Sequence, residues 1–327
     1  MSSMDIDLVY LWVDGNDPKW MAKRNACIGT PTDAPENCKG RYQDNDELKY
    51  SLRSVELYAP WIRKIFIVTD DQVPAWLDTA NPKIQMVDHT EILPPECLPC
   101  FNSSVIEHFL YRIPGLSEHF LYANDDMYIN RQVRPDDFFG QDGLPIIRLD
   151  RRYFRKPYIF YKAKILGKRL ENYPLTIHTS AQLVEKKYGV YYNSRAHHNI
   201  DAYLKSTYRH AHEVFEKEIN ATLCNHMRAE NDIQRILYSY VALAEKRAHK
   251  CYVSPEESLR LRIDKVHLYE KFDEYDPLFF CLNDTQLATD DHRRRAQAFI
   301  SQRFPVKSKF ENSHCEPIKK SQESTRL

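Results

Sequence analysis

Residues Ile6-Asp7-Leu8-Val9-Tyr10-Leu11-Trp12-Val13 form a nearly continuous apolar run that stops at Asp14-Gly15. A run of this length, closed by a turn dipeptide, reads as a strand buried on both faces, the kind found inside a parallel sheet. The same pattern recurs outward from it. Lys64–Thr69 (KIFIVT) ends at Asp70-Asp71, Ile84–Val87 ends at Asp88-His89, and Phe120–Ala123 runs straight into Asn124-Asp125-Asp126. Pro145–Leu149 is a further strand. Between them, Leu48, Leu52 and Val55 share one helical face that Pro60 closes, with Asp44 and Glu47 at capping-box spacing. Residues 103–111 also read as a helix. Strands alternating with helices predict an α/β fold with a mostly parallel central sheet flanked by helices. Each strand ends in polar residues at its carboxyl end, where open α/β sheets place their ligands.

Four segments follow from this reading. Residues 1–150 form the α/β part, and 151–195 form a basic and aromatic insertion suited to an acceptor. Residues 196–304 form a helical part, with helices expected near 199–217 and 230–248, and 305–327 form a polar, frayed tail. The insertion holds Arg151, Arg152, Arg155, Lys156, Lys162, Lys164, Lys168 and Arg169 among several tyrosines.

Composition narrows the function classes. Lys+Arg and Asp+Glu both total 46, so the chain lacks the broad positive field of a nucleic-acid binder. With 8 glycines and neither GxGxxG nor GxxxxGK[ST], phosphates must be held by side chains, helix N-termini or a metal. The first residues show no secretory pattern and no apolar stretch of about 18 residues occurs, so a cytoplasmic protein without a membrane span is expected. The 8 scattered cysteines then read as reduced thiols, and Cys97-Leu98-Pro99-Cys100 as structural.

Several residues have the chemistry of a site, and each has a structural alternative. Asn124, Asp125 and Asp126 suit Mg²⁺ or Mn²⁺, or else a turn. Asp14 and Asp17 flank a Gly-Asn turn and suit either Asx-turn geometry or nucleotide contact. His197 and His198 have the right pKa range for proton removal, with His89 and His178 as competitors. Arg228 suits a phosphate clamp or a surface pair with Glu230 or Asp232. Arg41, Lys49 and Arg53 lie by the first helix, the last two on one helical face. Asn283-Asp284 reads as a turn or as a second acidic site.

Taken together, these segments resemble the Stealth family of sugar-phosphate transferases, which includes bacterial capsule polymerases and the catalytic subunit of the lysosomal N-acetylglucosamine-1-phosphotransferase. The likeness runs through Asp5–Pro18, Arg41–Ser54, Ala59–Thr69, Pro99–Ser104 and Asn124–Asp126. It continues in His198-Asn199-Ile200-Asp201 with Arg228 and Asp232, and ends in Cys281-Leu282-Asn283-Asp284. Cys100 departs from it, standing where the family has Thr.

The resemblance implies a glycosyltransferase A-like fold, a divalent cation (Mg²⁺ or Mn²⁺) and a UDP-sugar donor. Carried over by residue, Trp12, Asp14, Gly15, Asp17, Arg41, Arg53 and Asn102 would hold the nucleotide. Asn124, Asp125, Asp126 and Asp284 would hold the metal. His198, Arg228 and Asp126 would act at the reacting phosphate. The implied reaction moves hexose-1-phosphate to a hydroxyl of a polysaccharide or lipid-linked oligosaccharide and releases UMP, in bacterial capsule or surface polysaccharide synthesis. Peripheral association with a membrane-bound biosynthesis complex at the inner face of the cell membrane fits that task. The alternatives are a metal-dependent glycosyltransferase releasing UDP and a non-catalytic carbohydrate-binding protein.

Overall fold

The computed structural model describes residues 4–28, 42, 44–151, 155–167 and 172–312. Its strands are β1 (Ile6–Leu11), β2 (Ile65–Thr69), β3 (Ile84–Asp88), β4 (His119–Asn124), β5 (Met127–Ile129), β6 (Ile146–Leu149), β7 (Asp201–Leu204), β8 (His249–Tyr252), β9 (Ser258–Arg262) and β10 (Phe279–Asn283). The helices are α1 (Pro18–Ile28), α2 (Glu47–Tyr58), α3 (His89–Ile92), α4 (Ser103–Glu107), α5 (Arg155–Phe160), α6 (Asn172–Tyr188), α7 (Lys205–Val214), α8 (Glu216–Asn220), α9 (Ile236–Ala244), α10 (His267–Tyr275) and α11 (Asp290–Arg303).

The central sheet has the order β3-β2-β1-β4-β7, parallel except for β7. The mostly parallel α/β architecture expected from the first 150 residues is therefore the one observed. Strand period two sorts β1 onto two cores. Ile6, Leu8 and Tyr10 pack with Leu48, Leu52 and Val55 of α2. Val9 packs on the opposite face with Ile177 and Val184 of α6, Tyr208 of α7 and Leu237 of α9.

Two small sheets extend the main one, β5-β10-β9 and β6-β8. The first is pinned to α2 through serines: Ser51 Oγ donates to the Met127 carbonyl at 2.5 Å, and Ser54 Oγ accepts from Ile129 N at 3.1 Å. It packs on α10 and α11 through Leu261, Phe272, Phe280, Leu282 and Ile300.

The later half differs from the sequence expectation. Residues 196–304, read as helical, also carry β7 to β10. The helix expected near 199–217 begins only at Lys205, because Ile200 and Ala202 face one core and Tyr203 the other. The helix expected near 230–248 is shortened to α9, because Asp232 folds back to bond Ala229 N and Asn225. Asp44 and Glu47 do not form a capping box: Asp44 accepts from Asp46 N, and Glu47 accepts from Asn45. Residues 305–312 pack back onto the fold, with Asn312 N bonded to the Trp76 carbonyl and Phe310 buried. The rest of the expected tail lies outside the described residues.

Candidate active site

The carboxyl ends of β1 and β4 lie side by side, Leu11 opposite Asn124, and the loops leaving them build one acidic surface. After β1, Asp14 Oδ1 accepts from Asn16 N at 2.8 Å, and Asp17 Oδ1 accepts from Lys19 N at 2.9 Å to start α1. Gln72 joins them, bonding the Asp14 backbone and Asp17 Oδ2. Gly15 is glycine for space: a Cβ there would lie 2.3 Å from the Tyr42 carbonyl oxygen. Trp12 is buried at the end of the same strand.

Into this corner the turn before α2 brings Asp44, and the first residue of α2 is Glu47. Burial, then Asp46 and Asp14, push the Asp44 carboxyl up to about 6. Burial also raises Glu47, against the lowering effect of its Asn45 bonds. Asp125 is raised well above the carboxylate range by burial, then Asp126, Glu47 and Asp44. The fold holds these like charges together at its own cost, which is the electrostatic pattern of a functional site.

Asp126 is the hinge of the cluster. Its backbone carbonyl accepts from Leu282 N at 3.0 Å, and the Cys281 thiol donates to Oδ2 at 3.1 Å. Oδ1 is buried and finds no hydrogen-bond partner among the described residues. Donor atoms of Asp126, His198 and Cys281 lie within 4.8 Å of one another, close enough to share an ion. The orphaned oxygen and this donor set fit a divalent cation.

The two histidines have separate duties. His197 is locked, its Nδ1 on Ser258 Oγ at 2.9 Å and its Nε2 on the Ile200 carbonyl at 3.1 Å. His198 faces the cluster. Burial, then Arg260, Arg195 and Arg235, depress its pKa to about 3, so the ring is neutral.

Cations ring the acids. Arg228 Nη2 donates to Ser103 Oγ at 2.8 Å, and its charge stabilises buried Glu107. The Tyr122 hydroxyl lies 2.8 Å from Glu107 Oε1 and 2.9 Å from Asn124 Oδ1, and its one proton is shared between the two acceptors. That network joins Glu107 to the β4 end, and Arg228 acts on it through its charge. Arg235 is buried against Asp201 and the Tyr122 ring.

Arg260 was missed by sequence reasoning. It stands opposite Cys281 in the parallel β9–β10 pair, so it projects on the Cys281 face, and it acts electrostatically on Asp126 and His198. It makes no hydrogen bond or ion pair among the described residues. The readable signal was the alternation Ser258-Leu259-Arg260-Leu261-Arg262, which marks a half-buried strand.

Three expected contacts have other occupations. Arg53 is spent on a bidentate pair with Glu311 at 2.7 Å and on the Phe304 carbonyl, leaving no fork for phosphate. Asn102 is fully buried, caps α4 through Ser104 N, and bonds the Asn225 and Met227 carbonyls and Asp232; it positions the Arg228 loop and does not face a ligand. Both Asp284 oxygens take Arg293, at 2.7 and 3.2 Å, so its carboxylate is not open to a metal, although its charge raises Asp126. Arg41 lies outside the described residues.

Residues 4–30 match the model for Stealth protein conserved region 1, and 41–147 the model for conserved region 2. The chain is 32% identical over 312 residues to a capsular polysaccharide phosphotransferase of Haemophilus influenzae, covering 91% of this chain and 84% of that one. The chain belongs to the Stealth family. Another relative, an exopolysaccharide phosphotransferase of Streptomyces coelicolor, is 34% identical over 94% of this chain, which spans only 33% of its length. An exopolysaccharide phosphotransferase of Lactiplantibacillus plantarum is 51% identical over 43% of this chain and 41% of its own. Among solved structures, the galactosyltransferase LgtC, in complex with donor and acceptor sugar analogues, overlays 92% of this chain and 96% of its own with a TM-score of 0.43 and 10% identity. The first conserved region contributes the β1 end, and the second contributes α2, β2, β4 and the Asn124–Asp126 turn. His198, Arg260 and Cys281 meet Asp126 from beyond residue 147.

Proposed function

We propose that this Stealth protein transfers hexose-1-phosphate from a UDP-sugar to a hydroxyl of a polysaccharide or lipid-linked oligosaccharide, releasing UMP, in the synthesis of a capsule or surface polysaccharide. The observation that carries the reading is the meeting of Asp126, His198 and Cys281 inside a ring of arginines. Phosphoryl transfer needs positioning and charge stabilisation more than covalent chemistry, and this pocket offers both. The names of the relatives agree with it.

In the reaction, the acceptor oxygen bonds to the β-phosphorus and the bond from β-phosphorus to the bridging oxygen breaks, so UMP leaves with that electron pair. His198 is neutral, so a ring nitrogen that is not given to the ion would take the hydroxyl proton. Arg228 and Arg260 face the charge that spreads over the phosphoryl oxygens. Asp126, with Asp125 beside it, would hold Mg²⁺ or Mn²⁺, which would neutralise diphosphate charge. A glycosyltransferase A-like frame, with the nucleotide over the β1 end, suits this arrangement.

The test is UMP release from a panel of UDP-sugars with Mg²⁺ and an oligosaccharide acceptor. His198→Ala is expected to slow release by about 10²–10⁴-fold. A loss below tenfold removes the base assignment, and UDP as the product removes the reaction.

A further inference from the structure

We infer that the arm formed by residues 155–167 seats this protein directly on an anionic lipid surface. The arm is α5 and the π-helical turn Tyr161–Ile165 that continues it. Ile159 is tucked into the fold, at 7% exposure. Around it, Tyr158, Phe160, Tyr161, Ile165 and Leu166 all stand in solvent, with Phe160 at 61% and Ile165 at 65%. Such a cluster of large apolar side chains on one short element marks a contact surface, not random scatter.

Charge selects the occupant. From Arg155 to Gly167 there are four basic residues and no acidic one, in a chain whose formal net charge is zero. Lys156 is tied down, paired with Glu185 and seated over the Tyr191 ring at 5.0 Å. Lys162 and Lys164 make no hydrogen bond or ion pair among the described residues. Aromatic and aliphatic side chains beside unpaired lysines are the composition of an element that lies in a bilayer interface, apolar groups at the acyl boundary and ammonium groups among phosphates. Exposed Ile165 and Leu166 argue against a sugar ligand, which presents hydroxyls to polar and aromatic groups.

Placement gives the surface a purpose. The arm leaves the fold just after β6, where Asp150 holds Arg195 at 2.8 Å, and Arg195 is one of the charges acting on His198. A bilayer touching the arm would therefore border the pocket. As a way of presenting a lipid-linked acceptor, the inference rests on the transferase reading above. Binding to lipid does not need that reading, because it is measured without donor or turnover. Among the described residues no helix is long and apolar enough to cross a membrane, so attachment by this route is peripheral.

The experiment is co-sedimentation of the whole chain with phosphatidylcholine vesicles, with and without phosphatidylglycerol, at about 0.1 M salt. Binding at least about tenfold tighter to the anionic vesicles is expected. The double variant Phe160→Glu/Ile165→Glu is expected to lose that binding while keeping its melting temperature. Lys162→Ala/Lys164→Ala is expected to weaken binding to anionic vesicles about tenfold and leave binding to neutral ones unchanged. Equal binding to both vesicle types, or wild-type binding by the Glu variant, overturns the inference. So does light scattering in which wild type, not binding vesicles, forms a dimer that the Glu variant dissolves, since the surface would then be a self-contact.

Discussion

At the scale of single residues, neighbouring side chains of one type divide between structure and chemistry. His197 spends both ring nitrogens on the fold, whereas His198 turns its ring to Asp126 and Cys281. Residue type alone picked the pair, and only the family resemblance picked His198, because the choice depends on Ser258, distant in the chain. The arginines divide likewise. Arg53 and Glu311 are almost wholly buried, with side chains 9% and 2% exposed. Arg53→Ala strands a buried carboxylate and is expected to cost about 3 kcal/mol of stability, read by denaturant unfolding, with little effect on donor KM in the fraction that folds. Arg260→Gln should do the reverse: unchanged unfolding, and a kcat/KM for the UDP-sugar lower by about 10²-fold. A destabilised Arg260 variant with normal kinetics would return that residue to a structural role.

At the scale of elements, the strand ends were legible and the sheet's later partners were not. β1, β2 and β4 are buried on both faces, so they appear as apolar runs that stop at acids. β7 carries Asp201 at a buried position, where Arg235 compensates it, and that hides the alternation from any reading of local pattern. β9 is half-buried, β10 is buried on both faces, and the two assemble with β5 only across long stretches of chain.

Helical elements also store a pH dependence. His108, fully buried between Tyr238 and His212, has its pKa depressed to about 3 by burial and then by His212. The unfolded chain takes up that proton near 6.5, so below this pH it binds more protons than the fold does. Stability from this site is complete above about pH 6.5 and is lost as pH falls toward 3. Between pH 7 and 5 the loss is about 2 kcal/mol. His108→Gln is expected to flatten the pH dependence of unfolding by that amount. An unchanged slope would mean that His108 takes up its proton at the same pH in both states.

At the scale of the whole molecule, one sheet edge gathers groups that the chain scatters from Asp14 to Cys281. Of Asp126, His198 and Arg228, which the family blocks in the sequence named, the fold brings Asp126 and His198 together, while Arg228 bonds Ser103 and acts on Glu107 through its charge. What the blocks could not convey is which members are already engaged. Asp284 holds Arg293, and Asn102 holds the Arg228 loop, because ion pairing and capping are settled by contacts that spacing does not encode.

The central claim is that this pocket breaks a bond at phosphorus and not at the sugar carbon. The most direct measurement follows a radioactive label on the β-phosphorus of the UDP-sugar through one turnover with acceptor. The label is expected to leave the nucleotide and appear in the acceptor as a phosphodiester, with unlabelled UMP released. Label retained in UDP, with the sugar alone on the acceptor, would contradict it.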